Sequence, residues 1–309
     1  MAVVTLVPLP AEAYDDWFAQ VLDRAVPTRY LGQTGDEESA RALAEKNFRA
    51  SLPEGLATPR AHVVHVAGAD GSLIGSLYWR QSSDLREASV GDVHLDDLSV
   101  AGEVRSLVEA EARAAGATSL WTSLVPGDSS RAAFADGGGF ESKATNMAID
   151  LRGDPVHDDG RITLQPMTSQ QFDDFMSEQR SSYVETRVQM GESPELAREI
   201  ADTQFAALVP DGLNSPGQRF WTAYDGDTTV GTLWIDDSQP RAFVYDVIVD
   251  EAQRRKGYGR SIMTAGARWC QENGSISLGL NVFGHNNGAR ALYDQLGYVI
   301  TEDGLAKDL

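Results

Sequence analysis

The chain is short of cysteine, of positive charge and of long apolar runs, and each shortage closes off a class of protein. A single cysteine, Cys270, in 309 residues leaves no internal disulfide and no C-x-x-C pair for a structural zinc. Basic residues number 26 against 46 acidic ones, and the net charge of −20 repels the phosphates of nucleic acid and of anionic lipid. Neither nucleic acid nor a membrane surface is an expected partner. No segment approaches the roughly 20 consecutive apolar residues of a membrane span. The first sixteen residues lack both the basic start and the apolar run of a signal peptide, so a cytoplasmic location is expected. What remains is ordinary globular composition, 42% hydrophobic and 23% charged, in a chain longer than one typical domain.

An internal repeat explains the length. Thr5-Leu6-Val7-Pro8 with Tyr14-Asp15-Asp16-Trp17 recurs 158 residues later as Thr163-Leu164-Gln165-Pro166 with Phe172-Asp173-Asp174-Phe175. Ile74-Gly75-Ser76-Leu77 recurs as Val230-Gly231-Thr232-Leu233, and Gly139-Phe140 as Gly297-Tyr298. The polar, turn-rich stretch 152–160 reads as a linker, which puts one domain at 1–151 and its copy at 161–309. Strands interleave with helices in each copy, so the expected fold is a tandem pair of α/β domains, each a mixed sheet flanked by helices. In the second copy Gln218–Tyr224 and Thr229–Ile235 flank a hairpin turn at Asp225-Gly226-Asp227. Ala242–Val249 reads as a strand. Ile262, Met263, Gly266, Trp269 and Cys270 share one face of a helix that ends at Asn273-Gly274, and Leu278–Phe283 is a strand again.

Between the strand ending at Val249 and that helix lies Arg254-Arg255-Lys256-Gly257-Tyr258-Gly259. Glycines let backbone approach a ligand, and the free N–H groups and dipole of a helix start favour phosphate. After Leu278–Phe283 comes Asn286-Asn287-Gly288-Ala289-Arg290-Ala291-Leu292-Tyr293, followed by Leu296-Gly297-Tyr298. The R-x-x-G-x-G loop, the N-x-x-A-x-x-L-Y helix and the L-G-Y together resemble the GNAT (GCN5-related N-acetyltransferase) superfamily, over about Thr229 to Tyr298.

The resemblance implies an acetyl-CoA-dependent N-acetyltransferase that transfers directly to an amine. It implies that Arg254, Arg255, Lys256, Gly257, Tyr258, Gly259 and Arg260 hold the pyrophosphate. Val247, Ile248 and Val249 would lie along the pantetheine arm, which Asn286 would also contact. Tyr293 falls at the family's frequent proton-donor position, and a phenol of reference pKa about 10 is protonated and able to supply the departing thiolate. Where many relatives place a carboxylate, this chain has Ile248. Asp246, on the same strand face by period-two alternation, is then the candidate base. Tyr183 and Glu185, which become Ala25 and Pro27 in the first copy, are candidate acceptor contacts, and Glu185 could also take a proton.

The first copy looks disarmed. Aligning Asp97-Leu98-Ser99-Val100 with Asp246-Val247-Ile248-Val249 implies that nine residues are missing where the second copy has its loop. The Tyr293 position becomes Ala135 and the Asn286 position Asp128. The sequence therefore leads to a small, neutral or cationic amine as acceptor, one acetyl-CoA per chain, no metal, and a monomeric pseudo-dimer or a homodimer. A silent acyl-CoA-binding protein and a protein N-acetyltransferase are the alternatives. His62 and His65 would point to opposite strand faces, Cys270 reads as a core residue, and the Asp15-Asp16 and Asp173-Asp174 pairs read as solvent faces.

Overall fold

The computed structural model describes residues 4–189, 193–284 and 286–309. The first half runs β1 (Thr5–Pro8), α1 (Tyr14–Ala25), α2 (Leu31–Thr34), α3 (Glu37–Ser51), β2 (Ala61–Ala67), β3 (Leu73–Gln81), β4 (Glu87–Leu95), α4 (Ala101–Ala114), β5 (Ser119–Leu124), α5 (Ser129–Ala135) and β6 (Glu141–Asp150). The second half repeats the order: β7 (Thr163–Pro166), α6 (Ser169–Gln189), α7 (Pro194–Leu208), β8 (Gln218–Asp225), β9 (Thr228–Asp236), β10 (Arg241–Val249), α8 (Tyr258–Glu272), β11 (Ser277–Phe283), α9 (Asn287–Gln295) and β12 (Val299–Asp308).

The expected second-copy elements all form. The Asp225-Gly226-Asp227 turn joins β8 and β9 with Gly226 at φ 59°, a left-handed conformation that glycine adopts without a Cβ penalty. Helix α8 buries Ile262, Met263, Gly266, Ala267 and Cys270, and Asn273 and Gly274 end it. A Cβ on Gly266 would stand 2.7 Å from Leu233 Cδ2, so this glycine sets how closely α8 packs on β9. Cys270 is fully buried with its thiol pushed up to about 12 by desolvation, the state of an unreactive core residue.

Repeat and compact body do not coincide. By contact, residues 1–148 with 281–309 form one body and residues 149–280 another, whereas the repeat divides the chain at the 152–160 linker. The reason is β12. It pairs antiparallel with β5 (Asp303↔Leu124 to Asp308↔Ser119) and with β6 (Val299↔Ala148 to Ala306↔Glu141), so the last strand of the second copy completes the first body. The sheet of that body runs β1-β2-β3-β4-β5-β12-β6, antiparallel except for β4 beside β5. In the second body the order is β7-β8-β9-β10-β11, antiparallel except for β10 beside β11. Trp79, Leu77, Val104, Val108, Leu120 and Phe134 centre one core of the first body. Phe172, Phe175, Phe205, Phe220 and Trp234 form the core under α6 and α7 in the second.

Strand register corrects the alignment of the two copies. Glu87 pairs with Ser119 as Arg241 pairs with Ser277, and Asp92 faces Tyr78 as Asp246 faces Trp234. The counterpart of Asp246 is therefore Asp92, not Asp97. Both strands carry a one-residue bulge just before it, at Gly91 and at Tyr245. The loss in the first copy is correspondingly four residues rather than nine. A short helical turn at Leu98–Val100 runs straight into Ala101 of α4, while the matching turn at Glu251–Gln253 is followed by Arg254, Arg255, Lys256 and Gly257 before α8 begins.

Candidate active site

In the second body the parallel ladder of β10 with β11 runs from Arg241↔Ser277 to Val244↔Leu280, while β10 continues to Val249 against β9. Val244 is buried, but Val247, Ile248 and Val249 beyond it are only half-buried despite being apolar strand residues. This is the stretch that sequence assigned to the pantetheine arm. At its end the chain turns through Glu251–Gln253 into the basic loop.

The loop is shaped for an anion. Arg255 and Gly257 take positive φ, 62° and 88°, and Gly257 is the residue preceding α8. Among the described residues no protein acceptor is found for the N–H of Lys256, Gly257, Tyr258 or Gly259, so four donors stand at the positive end of a helix dipole. A Cβ on Gly257 would meet only Arg161 Nη1, at 4.0 Å, leaving open space where a pyrophosphate would sit. The side chains of Arg254, Arg255, Lys256 and Arg260 are exposed around it. Lys256 Nζ donates to Ala252 O and Gln253 Oε1 at 2.9 Å, and Arg254 Nε donates to Val249 O at 3.3 Å. These residues fit the diphosphate of an acyl-CoA.

A clamp that sequence did not reveal holds the loop. Arg161, the residue just past the linker, donates to Lys256 O at 2.9 Å and to Asp225 Oδ2 at 2.9 Å, with its guanidinium 3.9 Å above the Tyr258 ring. Tyr258 is buried and donates to the same Asp225 oxygen at 2.7 Å. Tyr258 thus anchors the loop from below, and Arg161 and the β8–β9 turn brace it.

Asp246 lies just past the Tyr245 bulge, which re-aims the strand. Gln179 Nε2 on α6 donates to Asp246 Oδ2 at 2.5 Å. Burial raises its carboxyl to about 6, opposed by that hydrogen bond and by the Val247 N–H, and reinforced by the nearby charge of Glu178. Ile248 faces the same side and packs against the aromatic core. Gln179 follows Phe172 by seven residues and precedes Tyr183 by four, so helical spacing puts an amide on an otherwise apolar face, the one signal of it in the sequence.

Tyr183 donates to Gln204 Oε1 at 2.5 Å, accepts from Arg187 Nη1 at 2.7 Å and packs edge-on to Phe205. Glu185 is exposed and, two residues further along α6, is turned away from the face that carries Gln179 and Tyr183. Asn286 is the N-cap of α9, accepting from Ala289 N–H at 3.1 Å. Tyr293, on the same helix, is 7% exposed with its ring 5.8 Å from that of Tyr298. Asn286 and Tyr293 belong to the first body, and the other candidate residues to the second.

The first copy carries the equivalent aspartate in a different setting. Asp92 is 5% exposed and ion-paired with Arg24 at 2.8 Å, where Asp246 accepts from the Gln179 side-chain amide. Asp128 caps α5 as Asn286 caps α9, but its carboxylate also pairs with Arg131 at 3.0 Å. No cluster of three or more His, Cys, Asp or Glu able to hold a metal is found among the described residues, and no helix among them is long and apolar enough to cross a membrane.

The second body thus brings together a parallel strand pair whose ladder stops short, a basic loop at its end and a buried carboxylate beside it. The model of the acetyltransferase (GNAT) family matches residues 174–298. The chain is 33% identical to the uncharacterised N-acetyltransferase YycN of Bacillus subtilis over 154 residues, 48% of this chain and 99% of that protein. It is 29% identical to YdgE of the same organism over 48% of this chain and 98% of that protein. A crystal structure of a GCN5-related N-acetyltransferase from Sphaerobacter thermophilus matches 99% of this chain and 95% of its own, with a TM-score of 0.54 at 17% identity, which shows the same fold across both halves. The chain belongs to the GNAT family, in a tandem arrangement.

Proposed function

We propose that the protein is an N-acetyltransferase using acetyl-CoA as co-substrate, with one competent site, carried by the second half, and a small neutral or cationic amine as acceptor. The observation that carries this reading is the contrast between Asp246, held by Gln179 with its carboxyl raised to about 6, and Asp92, bound to Arg24. A base poised near neutrality can free the amine of its extra proton, or take the N–H proton of the attacking amine as the C–N bond forms. The thiolate that leaves when the C–S bond breaks needs a proton, and the Tyr293 phenol is the proposed donor. The unpaired N–H groups and cations of the loop would hold the pyrophosphate, and Val247 and Val249 the pantetheine arm. Tyr183 borders the Asp246 face of α6 and is the proposed acceptor contact. Glu185, turned off that face, is a candidate only for binding a distal cation.

The test is release of free CoA across a panel of amines, with Asp246→Asn and Tyr293→Phe alongside. Turnover that falls roughly 10²–10⁴-fold in both variants, with acetyl-CoA affinity kept, supports these roles. Acetyl-CoA binding without turnover on any amine would favour the silent binding protein instead.

A further inference from the structure

The first body carries a cavity of about 320 Å³ whose lining includes Arg29, Arg80, Arg131, Tyr78, Ser89 and Ser123, and to which no carboxylate contributes. In a chain of net charge −20 with only 26 basic residues, three arginines converging on one cavity are out of keeping with the background. Arg131 is the built-in element. It is 4% exposed and reaches across the two strands just beyond the last β4–β5 pair, Ser89↔Trp121, donating to Gly91 O on β4 and, at 3.5 Å, to Ser123 Oγ on β5. At the constant repeat offset of 158 its counterpart is Ala289, so a small residue in one copy is a guanidinium in the other. A guanidinium thus spans β4 and β5 where the other copy has a methyl group, and the cavity beside it is open to a different ligand.

Charge identifies the ligand class. Arg131 pairs with Asp128 at 3.0 Å, and Arg29 pairs with Glu302 on β12. Arg80 is exposed and has no ion-pair partner among the described residues. The cavity therefore holds three guanidinium groups against two carboxylates behind them, one positive charge in excess. Of the five N–H groups of Arg131, three serve Asp128, Ser123 and Gly91 O, and two remain to donate. Tyr78 supplies an aromatic wall with its hydroxyl already donated to Ser51 O at 3.2 Å, and Ser89 adds a further hydroxyl. We propose that this cavity binds a small organic monocarboxylate, its carboxylate between Arg80 and Arg131 and its body against Tyr78.

The experiment is calorimetric and thermal-shift titration of the full chain at low salt with lactate, pyruvate and benzoate, with lactamide, inorganic phosphate and acetyl-CoA as separate arms. The expected result is saturable one-to-one binding of at least one of the three carboxylates, no binding of lactamide, and affinity at least 10-fold weaker in Arg80→Gln. Arg80 is exposed, so that variant keeps its fold, and its acetyl-CoA affinity should be unchanged. Arg131→Gln should lose carboxylate binding as well, but the Arg80 variant decides if it does not fold. No saturable binding of any of the three, binding that Arg80→Gln leaves intact, or phosphate bound in preference to all of them would overturn the proposal.

Discussion

Asp92 and Asp246 stand at the same step of equivalent strands, and what meets each one across the helix layer separates a structural residue from a proposed base. Arg24 gives Asp92 an ion-pair partner, whereas Gln179 offers Asp246 a hydrogen bond without a charge, leaving burial to raise its carboxyl to about 6. A base must be deprotonated to act, so kcat/KM should fall below a limb near pH 6, and Gln179→Leu should move that limb upward by removing a group that favours the ion. A plot of log kcat/KM against pH for parent and variant checks both shifts. Stability runs the other way. The native carboxyl binds its proton more tightly than the ordinary value of 3.8, so its contribution is complete below about pH 4 and is lost as pH rises through 6. Asp246→Asn, which carries no charge, should therefore be more stable than the parent above pH 6, by an amount of order 3 kcal/mol that vanishes near pH 4. Urea unfolding at the two pH values measures the difference. Asp246 was legible as a candidate once the family resemblance had pointed to the Ile248 position and strand alternation put Asp246 on the same face. Its partner in the other copy was not, because Asp97-Leu98-Ser99-Val100 mimics the strand locally and a bulge leaves no mark in sequence.

At the scale of elements, the basic loop is a four-residue insertion between two features that both copies share, a helical turn and a long helix. The motif was plain in the sequence, since glycines and cations at a strand-to-helix junction have a direct physical meaning. Its support was hidden, since Arg161 opens the second copy and Asp225 reads as a hairpin residue until folding brings them to Lys256 and Tyr258. Arg161→Ala should loosen the loop and raise KM for acetyl-CoA several-fold while leaving kcat near the parent value, which steady-state kinetics with varied acetyl-CoA would show. Gly257→Val should do more, because a β-branched residue at φ 88° is strained and its side chain enters the space left for phosphate. Glu185→Gln, at an exposed position, tests the acceptor side: an unchanged amine profile removes Glu185 from the site.

For the whole molecule, the exchange of β12 matters most, and nothing in the sequence announces it, because a strand's pattern encodes a buried face and not the identity of its neighbour. The strand carries buried Leu305 and Ala306, the Lys307–Glu109 ion pair at 2.8 Å, and Asp303, which accepts from Ser142 and Thr145 at 2.7 Å. Deleting Val299–Leu309 should leave the chain insoluble or lower its Tm by more than about 10 °C, as scanning fluorimetry would record. The same strand sets the order in which the protein can be made. Residues 149–280 are contiguous and can close as soon as they leave the ribosome. Leu124, by contrast, has to wait for Asp303, about 180 residues later, on the order of ten seconds or more at roughly 5–20 residues per second. Through that interval β5 offers an open edge to any passing strand. The half emerging first is therefore the half finished last, and a nascent chain stalled before β12 should depend on chaperones where the completed one does not.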